Sequence, residues 1–281
     1  MIGSMAAFTL NDACMKALST SLPLAQSIFL RGILTSVMLL ALAWGLGKLN
    51  LRMSPRDRWL VSLRTLTEVG SAYFFISALY NMPFANATAI LQALPLSITL
   101  AGAIFLGEAV GWRRMSAILI GFVGVLLIVR PGFEGFNSYS LYALAAVTLV
   151  TARDLLSRRL SKAVPTLTVA FINAIAVTVV FGLASTTITW QLVSPHTALL
   201  LAGASVLIIG GYVFSVSAMR VGEIAVIAPF RYTALLWALL LGFVVFGEWP
   251  SVLALIGSAI IVMTGVYTFS RERRLAKAAS R

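Results

Sequence analysis

The chain has very few of the residues on which enzymes and disulfide-stabilised domains depend. Its 281 residues include one cysteine, Cys14, and one histidine, His196. A lone cysteine excludes an intrachain disulfide, and the sequence contains neither the His/Glu spacing of a metal site nor a glycine-rich phosphate-binding loop. We therefore expect no enzyme, no metal site and no cofactor, and any energy the protein uses must come from a concentration gradient.

Charged residues are scarce as well. They make up 11% of the chain, whereas 60% of the residues are apolar and the mean hydropathy is +0.97. A water-soluble globule of 30.1 kDa would need more polar surface than this. The apolar runs are long and lack the alternation of barrel strands, so they favour helices. The composition predicts an all-α integral membrane protein whose partner is the lipid bilayer.

The apolar runs predict ten transmembrane helices. A bilayer core about 30 Å thick needs about 20 apolar residues per helix. The runs cover approximately residues 2–20, 24–46, 58–79, 84–106, 112–130, 139–160, 166–186, 196–219, 224–246 and 250–269. Prolines stand at or just before five of these starts, where a missing N–H has little effect. They are Pro23, Pro83, Pro165, Pro195 and Pro250.

Two segments of the chain resemble each other at a constant offset of 140 residues. Ser77–Glu108 aligns without a gap on Ser217–Glu248, and eight of the 32 positions are identical. A repeat of half the chain suits a duplicated membrane bundle. Since five helices per half is an odd number, the second copy must enter the membrane from the opposite side. We therefore predict two inverted five-helix repeats, residues 1–135 and 136–281, the second ending in a short basic cytoplasmic tail. The identical pairs are Ser77/Ser217, Ala78/Ala218, Ala85/Ala225, Leu96/Leu236, Leu100/Leu240, Gly102/Gly242, Gly107/Gly247 and Glu108/Glu248.

Basic residues predict the orientation. With a cytoplasmic N-terminus, fifteen of the 21 lysines and arginines lie in cytoplasmic loops or the tail, while Lys16 and Arg130 lie on the other face. The net charge of +12 is thus a topology signal, and nucleic acid is not expected as a partner. The fifteen are Lys48, Arg52, Arg56, Arg58, Arg113, Arg114, Arg158, Arg159, Lys162, Arg220, Arg271, Arg273, Arg274, Lys277 and Arg281.

The order and duplication of several short motifs resemble the EamA-type carriers of the drug/metabolite transporter superfamily. The motifs in the first half are Asn11–Asp12 with Lys16, Phe29–Gly32, Ala78–Ala87, Pro95, Leu106–Glu108, Gly121–Val125 and Arg130–Gly132. Those in the second half are Ala218, Ala225, Pro229, Gly247–Glu248 and Leu255–Gly257. The resemblance covers nearly the whole chain.

The resemblance implies a ten-helix bundle in a bacterial inner membrane that exports amino acids or other small metabolites. Within the superfamily the sequence resembles aromatic amino-acid exporters of the YddG type, so we expect large neutral or aromatic amino acids as substrates. The inverted repeat predicts alternating access, and we expect a monomer. The alternative within the superfamily is a drug or cation exporter. A channel or a membrane scaffold is the alternative from another class, although a channel would need a continuous polar stripe.

Ionisable residues inside predicted spans need a reason, because each costs about 2.5–3.5 kcal/mol on insertion scales. Asp12 and Lys16 share a helix face, as do Arg64 and Glu68. Each pair is either an internal ion pair that neutralises its helix or part of a gate or a zwitterion site. Arg153 and Asp154 are adjacent and splayed, so they are expected to find partners on other helices or at the cytoplasmic interface. Arg31 is expected to anchor its helix at the interface.

Polar and aromatic groups around the duplicated segments predict the substrate site. Arg231 follows Pro229 and is either a carboxylate or gate residue or a structural charge. Trp237 lies in the middle of a span, whereas the other tryptophans lie near span ends, so it is either the preferred aromatic contact or a lipid-facing side chain. The predicted substrate-binding residues are Tyr73, Tyr80, Gln92, Arg231, Tyr232 and Trp237.

Two further features complete the prediction. Glu108 and Glu248 end equivalent helices near opposite faces, so they are either paired gate elements or structural helix ends. Small residues should allow close helix packing, which in lipid depends on shape rather than on hydrophobicity. These residues are Gly121, Gly124, Gly203, Gly210, Gly211, Gly257 and the alanines of 143–146.

Overall fold

The structure is a computed structural model that describes residues 1–47, 51–108, 110–131, 136–161, 163–221 and 228–279. Over these ranges every regular element is a helix, which confirms the all-α prediction. Short 3₁₀ turns cover Leu18–Thr20 and Ala228–Tyr232. The helices are α1 (Ile2–Ala17), α2 (Leu24–Gly45), α3 (Pro55–Asn81), α4 (Phe84–Leu91), α5 (Leu94–Leu106), α6 (Trp112–Val129), α7 (Tyr139–Arg158), α8 (Thr166–Ser185), α9 (Pro195–Val221), α10 (Thr233–Phe246) and α11 (Val252–Ala279).

Some of the sequence predictions concern residues outside these ranges. Lys48, Lys162, Ala225 and Arg281 lie outside the described residues. For Arg220, Arg273, Arg274 and Lys277 the structure describes the backbone helix only.

Eight helical segments of the described chain are long and apolar enough to cross a membrane. The segments predicted at 2–20 and 58–79 are not among them. The first corresponds to α1, which has only 16 residues, and the second to α3, whose 27 residues include Arg64 and Glu68. The protein is therefore a multi-pass helical membrane protein.

Pro95 interrupts one of the spans, as predicted. The segment 84–106 divides into α4 and α5 at Gln92 and Ala93, just before Pro95. A proline has no N–H to give to the carbonyl four residues earlier, and its ring crowds that carbonyl. Pro229 lies in the 3₁₀ turn that precedes α10. The prolines at span starts also behave as expected, since Pro23, Pro83 and Pro165 each cap the helix that follows.

The principal helix pairs join the first half of the chain to the second. α3 packs on α7, α1 on α9, α2 on α8 and α6 on α11. Smaller contacts join α4 and α1 to α10, and α4 and α5 to α7. The two halves are thus interleaved, so that neither could bury its apolar surface alone. α4 lies in the interior, because six of its eight residues are buried.

Glycines explain the closest of these contacts. α6 and α11 cross at Gly124 and Gly257, where a Cβ added to Gly124 would lie 2.7 Å from the carbonyl oxygen of Gly257. Leu96 occupies the space beside Gly121, and Phe8 occupies the space beside Gly211, in agreement with the predicted close packing. The prediction is wrong for Gly203 and Gly210, which have nothing within 4 Å of an added Cβ. Both point away from neighbouring helices, and sequence alone does not reveal which face of a uniformly apolar helix is covered.

Candidate functional site

A cavity of about 690 Å³ lies between the two halves of the bundle. It extends to the end of the bundle at which α7 ends and α8 begins. Its apolar wall includes Leu39, Val169, Val177, Ile208 and Ile209, and its polar groups come from α2, α3, α7, α8 and α9. The main polar groups are Arg31, Thr35, Arg64, Glu68, Arg153, Ser157, Asn173 and Tyr212. A mostly apolar cavity with a few placed polar groups is typical of a small-molecule site.

Two carboxylates hold Arg153 in the cavity wall. Its Nε and Nη2 atoms bind Asp154 Oδ1, each at 2.9 Å, and its Nη1 donates to the Glu68 carboxylate at 3.3 and 3.4 Å. The predicted partner on another helix is confirmed for Arg153, which binds Glu68 on α3, but the two adjacent residues also pair with each other, which their splayed positions did not predict. The arginine side chain is long enough to fold back onto its neighbour while it also reaches α3.

Arg64 shares Glu68 but is held more loosely. The predicted intrahelical pair forms, with Arg64 Nη1 lying 3.7 Å from Glu68 Oε2. This separation is too long for a hydrogen bond. Arg64 Nε donates to Ser157 Oγ at 2.8 Å, which joins α3 to α7. Arg64 Nη1 is buried without a hydrogen-bond partner, as is Thr35 Oγ1 in the same cavity wall.

The predicted Asp12–Lys16 pair is wrong. Asp12 accepts a hydrogen bond from Asn11 Nδ2 at 2.9 Å and interacts electrostatically with Arg31, whose Nη1 donates to Asn11 Oδ1 at 3.3 Å. Arg31 is thus a cavity residue rather than an interfacial anchor. Lys16 points the other way, toward the end of α3. There the backbone carbonyls of Leu79 and Met82 and the carboxylate of Glu248 give it more partners than Asp12 does.

Lys16 lies at the centre of a buried network at one end of the bundle. Its Nζ lies 3.0 Å from Glu248 Oε1 and donates to the Met82 carbonyl at 2.6 Å. Glu248 Oε2 accepts from the Phe84 backbone N–H at 2.6 Å, at the start of α4, where an anion is favourable. Lys16 also lies over the Phe246 ring, 5.4 Å from its centroid. This network joins α1, α3, α4 and the end of α10.

A corresponding ion pair lies at the other end. Arg158 Nη1 at the end of α7 binds Glu108 Oε1 after α5 at 2.8 Å, and both side chains are nearly half exposed. Gly107 and Gly247 end their helices with φ of +67° and +64°. The following glutamate N–H groups return to Gly102 and Gly242 in the same way. The Gly-Glu similarity seen in the sequence is therefore one helix-ending motif used twice.

The course of α3 shows that the two ion pairs lie at opposite ends. α3 begins at Pro55, directly after Ser54, whose hydroxyl caps the helix by accepting from the Asp57 N–H. Asp57 in turn accepts from the Ser161 N–H beyond α7 at 3.1 Å. The helix ends 27 residues later at Asn81, next to the Met82 carbonyl that binds Lys16. Glu108–Arg158 lies near the first end, to which the cavity extends, and Lys16–Glu248 lies at the second.

The six predicted substrate contacts lie outside this cavity. Tyr73 is 44% exposed and packs on Phe74 and Tyr142. Tyr80 bonds the Ser27 hydroxyl at 2.6 Å. Gln92 lies in the break between α4 and α5, and Trp237 is half-buried on α10.

The remaining two are neighbours in the 3₁₀ turn before α10. Arg231 interacts electrostatically with Asp154. Tyr232 is buried against Gly265 on α11, and its hydroxyl has no hydrogen-bond partner. The substrate-binding role of these six residues stays a prediction.

Sequence reasoning missed Thr35, Ser157, Asn173 and Tyr212 as members of the cavity wall. Each is an ordinary polar residue on an apolar helix, and only the packing of α2 on α8 and of α3 on α7 brings them together. The intramembrane arginines were a usable signal, because Arg31, Arg64 and Arg153 all line the cavity. A smaller depression of about 380 Å³ between α6 and α11 has mainly exposed walls and one charged residue, Arg113.

The comparisons with known proteins agree with this architecture. The model of the EamA-like transporter family matches residues 1–130 and, again, residues 137–271. The chain belongs to the EamA-like transporter family. The members of this EamA family are transporters rather than enzymes, which confirms the prediction that the protein is not an enzyme.

Relatives of this EamA protein act on different compounds. It is 26% identical to the S-adenosylmethionine uptake transporter of Rickettsia conorii, with 96% of this chain and 91% of the relative covered. It is 28% identical to the riboflavin transporter of Vibrio cholerae over 80% of this chain and 77% of the relative. It is 24% identical to the pseudopaline exporter CntI of Pseudomonas aeruginosa over 98% of this chain and 96% of the relative.

The fold of the EamA protein is shared with a known structure. A solved crystal structure matches with a TM-score of 0.69 at 23% identity and covers 98% of this chain and 97% of that chain. The family and its bacterial relatives make the protein a multi-pass transporter of small molecules in a bacterial inner membrane.

Proposed function

We propose that this protein is a secondary transporter that exports large neutral or aromatic amino acids by alternating access. The observation that carries the proposal is the cavity between the halves. It combines buried charges with an apolar wall and extends to one end of the bundle, while the Lys16–Glu248 network joins four helices at the other end. A site accessible from one side and closed on the other is what alternating access requires.

The exchange of two inverted five-helix repeats would supply the second state. In this scheme α1, α2 and α3 of the first repeat correspond to α7, α8 and α9 of the second. The pair α4 and α5 corresponds to α10, and α6 corresponds to α11. Exchanging the halves then turns the α3–α7 contact into α1–α9, and it leaves α2–α8 and α6–α11 unchanged. The two separate matches of the family model and the twin Gly-Glu ends support the same repeat. We therefore retain ten membrane spans, in which α1 and α3 cross the membrane surrounded by other helices of the bundle.

The two ion pairs would act as alternating closures under this scheme. Lys16 on α1 and Glu248 after α10 correspond to Arg158 on α7 and Glu108 after α5. Each pair joins one repeat to the other, so each must break when its end opens. The side chains of Lys16 and Glu248 are 10% and 28% exposed, whereas those of Arg158 and Glu108 are 47% and 45% exposed. The described state is therefore closed at the Lys16 end and more open at the Arg158 end.

The orientation we propose places both termini, the Arg158 end and the cavity mouth in the cytoplasm, as the basic loops indicate. Single cysteines at Trp112 and Trp249 test this in a protein without Cys14, because both tryptophans are strongly exposed, at 76% and 68%, just beyond the Gly-Glu ends. A membrane-impermeant maleimide added to intact cells should label Trp249→Cys and spare Trp112→Cys. Labelling of both positions from the same side would refute the inverted repeat.

The substrate class is tested in liposomes that contain the purified protein. Labelled phenylalanine, leucine, glutamate and lysine are loaded inside, and efflux is followed with and without a pH gradient. We expect saturable efflux of phenylalanine and leucine above protein-free liposomes, because the cavity wall is mainly apolar. Comparing the efflux rates with and without a pH gradient determines whether amino-acid export is coupled to proton movement. The absence of flux for every amino acid would defeat this assignment.

The alternatives make different demands on the same site. A drug or cation exporter would favour an unpaired carboxylate in the cavity, but Glu68 is shared by two arginines. A channel would show efflux that does not saturate, and a scaffold would show none. The efflux experiment therefore separates all three from the exporter.

A further inference from the structure

Arg64 is less well satisfied than Arg153, its neighbour in the charged cluster of the cavity wall. Arg153 uses Nε, Nη1 and Nη2 on two carboxylates. Arg64 has one hydrogen bond, from Nε to Ser157 Oγ, and its Nη1 is buried without a hydrogen-bond partner. A guanidinium has five N–H donors, and a buried donor without an acceptor is destabilising. Arg64 therefore has donors available for an acceptor that the described residues do not supply.

The carboxylates near Arg64 are already engaged by other arginines. Arg153 is ion-paired with both Glu68 and Asp154, and Arg231 also interacts electrostatically with Asp154. Arg64 is left with a contact of 3.7 Å to Glu68, which is too long for a hydrogen bond. An incompletely paired charge is unfavourable away from water, so this position favours an added anion.

Thr35 supplies a second group in the same wall. Its hydroxyl is buried without a hydrogen-bond partner, although many threonines in this bundle donate to a carbonyl of their own helix. A carboxylate has two oxygens that can accept from a guanidinium and from a hydroxyl. The adjoining wall of valine, isoleucine and leucine side chains suits an apolar body next to such a head group.

We infer that Arg64, assisted by Thr35, binds the carboxylate of the transported compound. The substrate class is thus a small carboxylate with an apolar body, and Arg153 is a positioning residue that holds Glu68. This inference rests on the proposed function, in that the carboxylate is taken to be that of an amino acid, but its test does not require transport.

Calorimetric titration of the purified protein with three related compounds provides the test. L-phenylalanine has a carboxylate and an ammonium group, phenylpropionate has only the carboxylate, and phenylalaninamide has only the ammonium group. We expect the amide to bind at least about tenfold more weakly than the two carboxylates, since an ionic hydrogen bond is lost. Arg64→Gln should weaken both carboxylates by about tenfold or more and leave the amide unchanged. Arg64→Lys, which keeps the charge, should recover part of the affinity.

The controls separate recognition from folding. Arg113→Gln changes an exposed arginine outside the cavity and should bind all three compounds as the parent protein does. If Arg64→Gln does not fold, Thr35→Val removes the second donor and should weaken the carboxylates several-fold with no effect on the amide. Unchanged carboxylate affinity in Arg64→Gln, or in Thr35→Val where that variant replaces it, would overturn the inference. So would an amide that binds as tightly as the acid, or an absence of carboxylate binding. Arg64-dependent binding of phenylpropionate without amino-acid flux would instead defeat only the proposed function.

Discussion

Glu248→Gln is expected to destabilise the protein by about 3 kcal/mol, the lower end of the range for breaking a buried ion pair. Lys16 Nζ lies 3.0 Å from the carboxylate and is only 10% exposed, so the change leaves an unpaired buried ammonium group. Glutamine keeps one oxygen for the Phe84 N–H, and the Met82 carbonyl still binds Lys16, which limits the loss. The measurement is the thermal unfolding midpoint of the purified protein.

The repeat provides a matched control for this prediction. Glu108→Gln makes the same change at the corresponding position of the other half, where the side chains are nearly half exposed. An exposed pair contributes about 1 kcal/mol or less, so Glu108→Gln should shift the midpoint little. Replacing Lys16 with methionine in the Glu248→Gln protein should recover part of the lost stability, because no unpaired charge remains. Equal losses at Glu108 and Glu248 would show that burial does not distinguish the two ends.

Gly124→Ala is expected to destabilise the protein by about 1–3 kcal/mol, the range for overpacking. The new methyl group would lie 2.7 Å from the Gly257 carbonyl oxygen and 3.1 Å from Ile260 Cβ. The first of these atoms belongs to the backbone of α11 and cannot move without the helix, so α6 and α11 must separate. Loss of this contact is serious in lipid, where helices associate through close packing.

Gly203→Ala is the matched control for the helix crossing. It places the same methyl group in α9, where nothing lies within 4 Å. Because alanine favours helix by about 1 kcal/mol over glycine, this variant should be neutral or slightly more stable. Thermal unfolding of both variants under the same conditions compares them. A Gly124→Ala protein as stable as Gly203→Ala would mean that the α6–α11 crossing is not as close as described.

Several local predictions from the sequence are confirmed because they depend on neighbouring residues. Pro95 interrupts its helix, Pro23, Pro83 and Pro165 cap helices, and Arg64 pairs with Glu68 one turn later. The tryptophans assigned to span ends, Trp44, Trp59, Trp112, Trp190 and Trp249, are all exposed at helix ends. The similarity of the Gly-Glu segments predicted two equivalent helix ends, and both glycines adopt the same left-handed conformation.

The errors concern partners that are distant in the chain. Lys16 binds Glu248, 232 positions away, rather than Asp12 one turn before it. Sequence reasoning also missed Thr35 and Tyr212 in the cavity wall, whereas the substrate role of the aromatic residues outside the cavity stays a prediction. In an apolar membrane helix every face has a similar composition, so the usual contrast between buried and exposed faces does not reveal which residues meet.

The sequence by itself determined the solvent, the helical class, the family resemblance and the similarity of the two Gly-Glu segments, because each depends on composition or on the order of residues along the chain. Only the tertiary structure decided that α3 packs on α7 and α2 on α8, and therefore that Arg31, Arg64 and Arg153 share one cavity. The physical reason is that van der Waals fit at small residues and the few available ionic partners select helix neighbours in lipid. The packing fit and the ionic pairing both depend on three-dimensional shape, which cannot be inferred from the order of apolar residues alone.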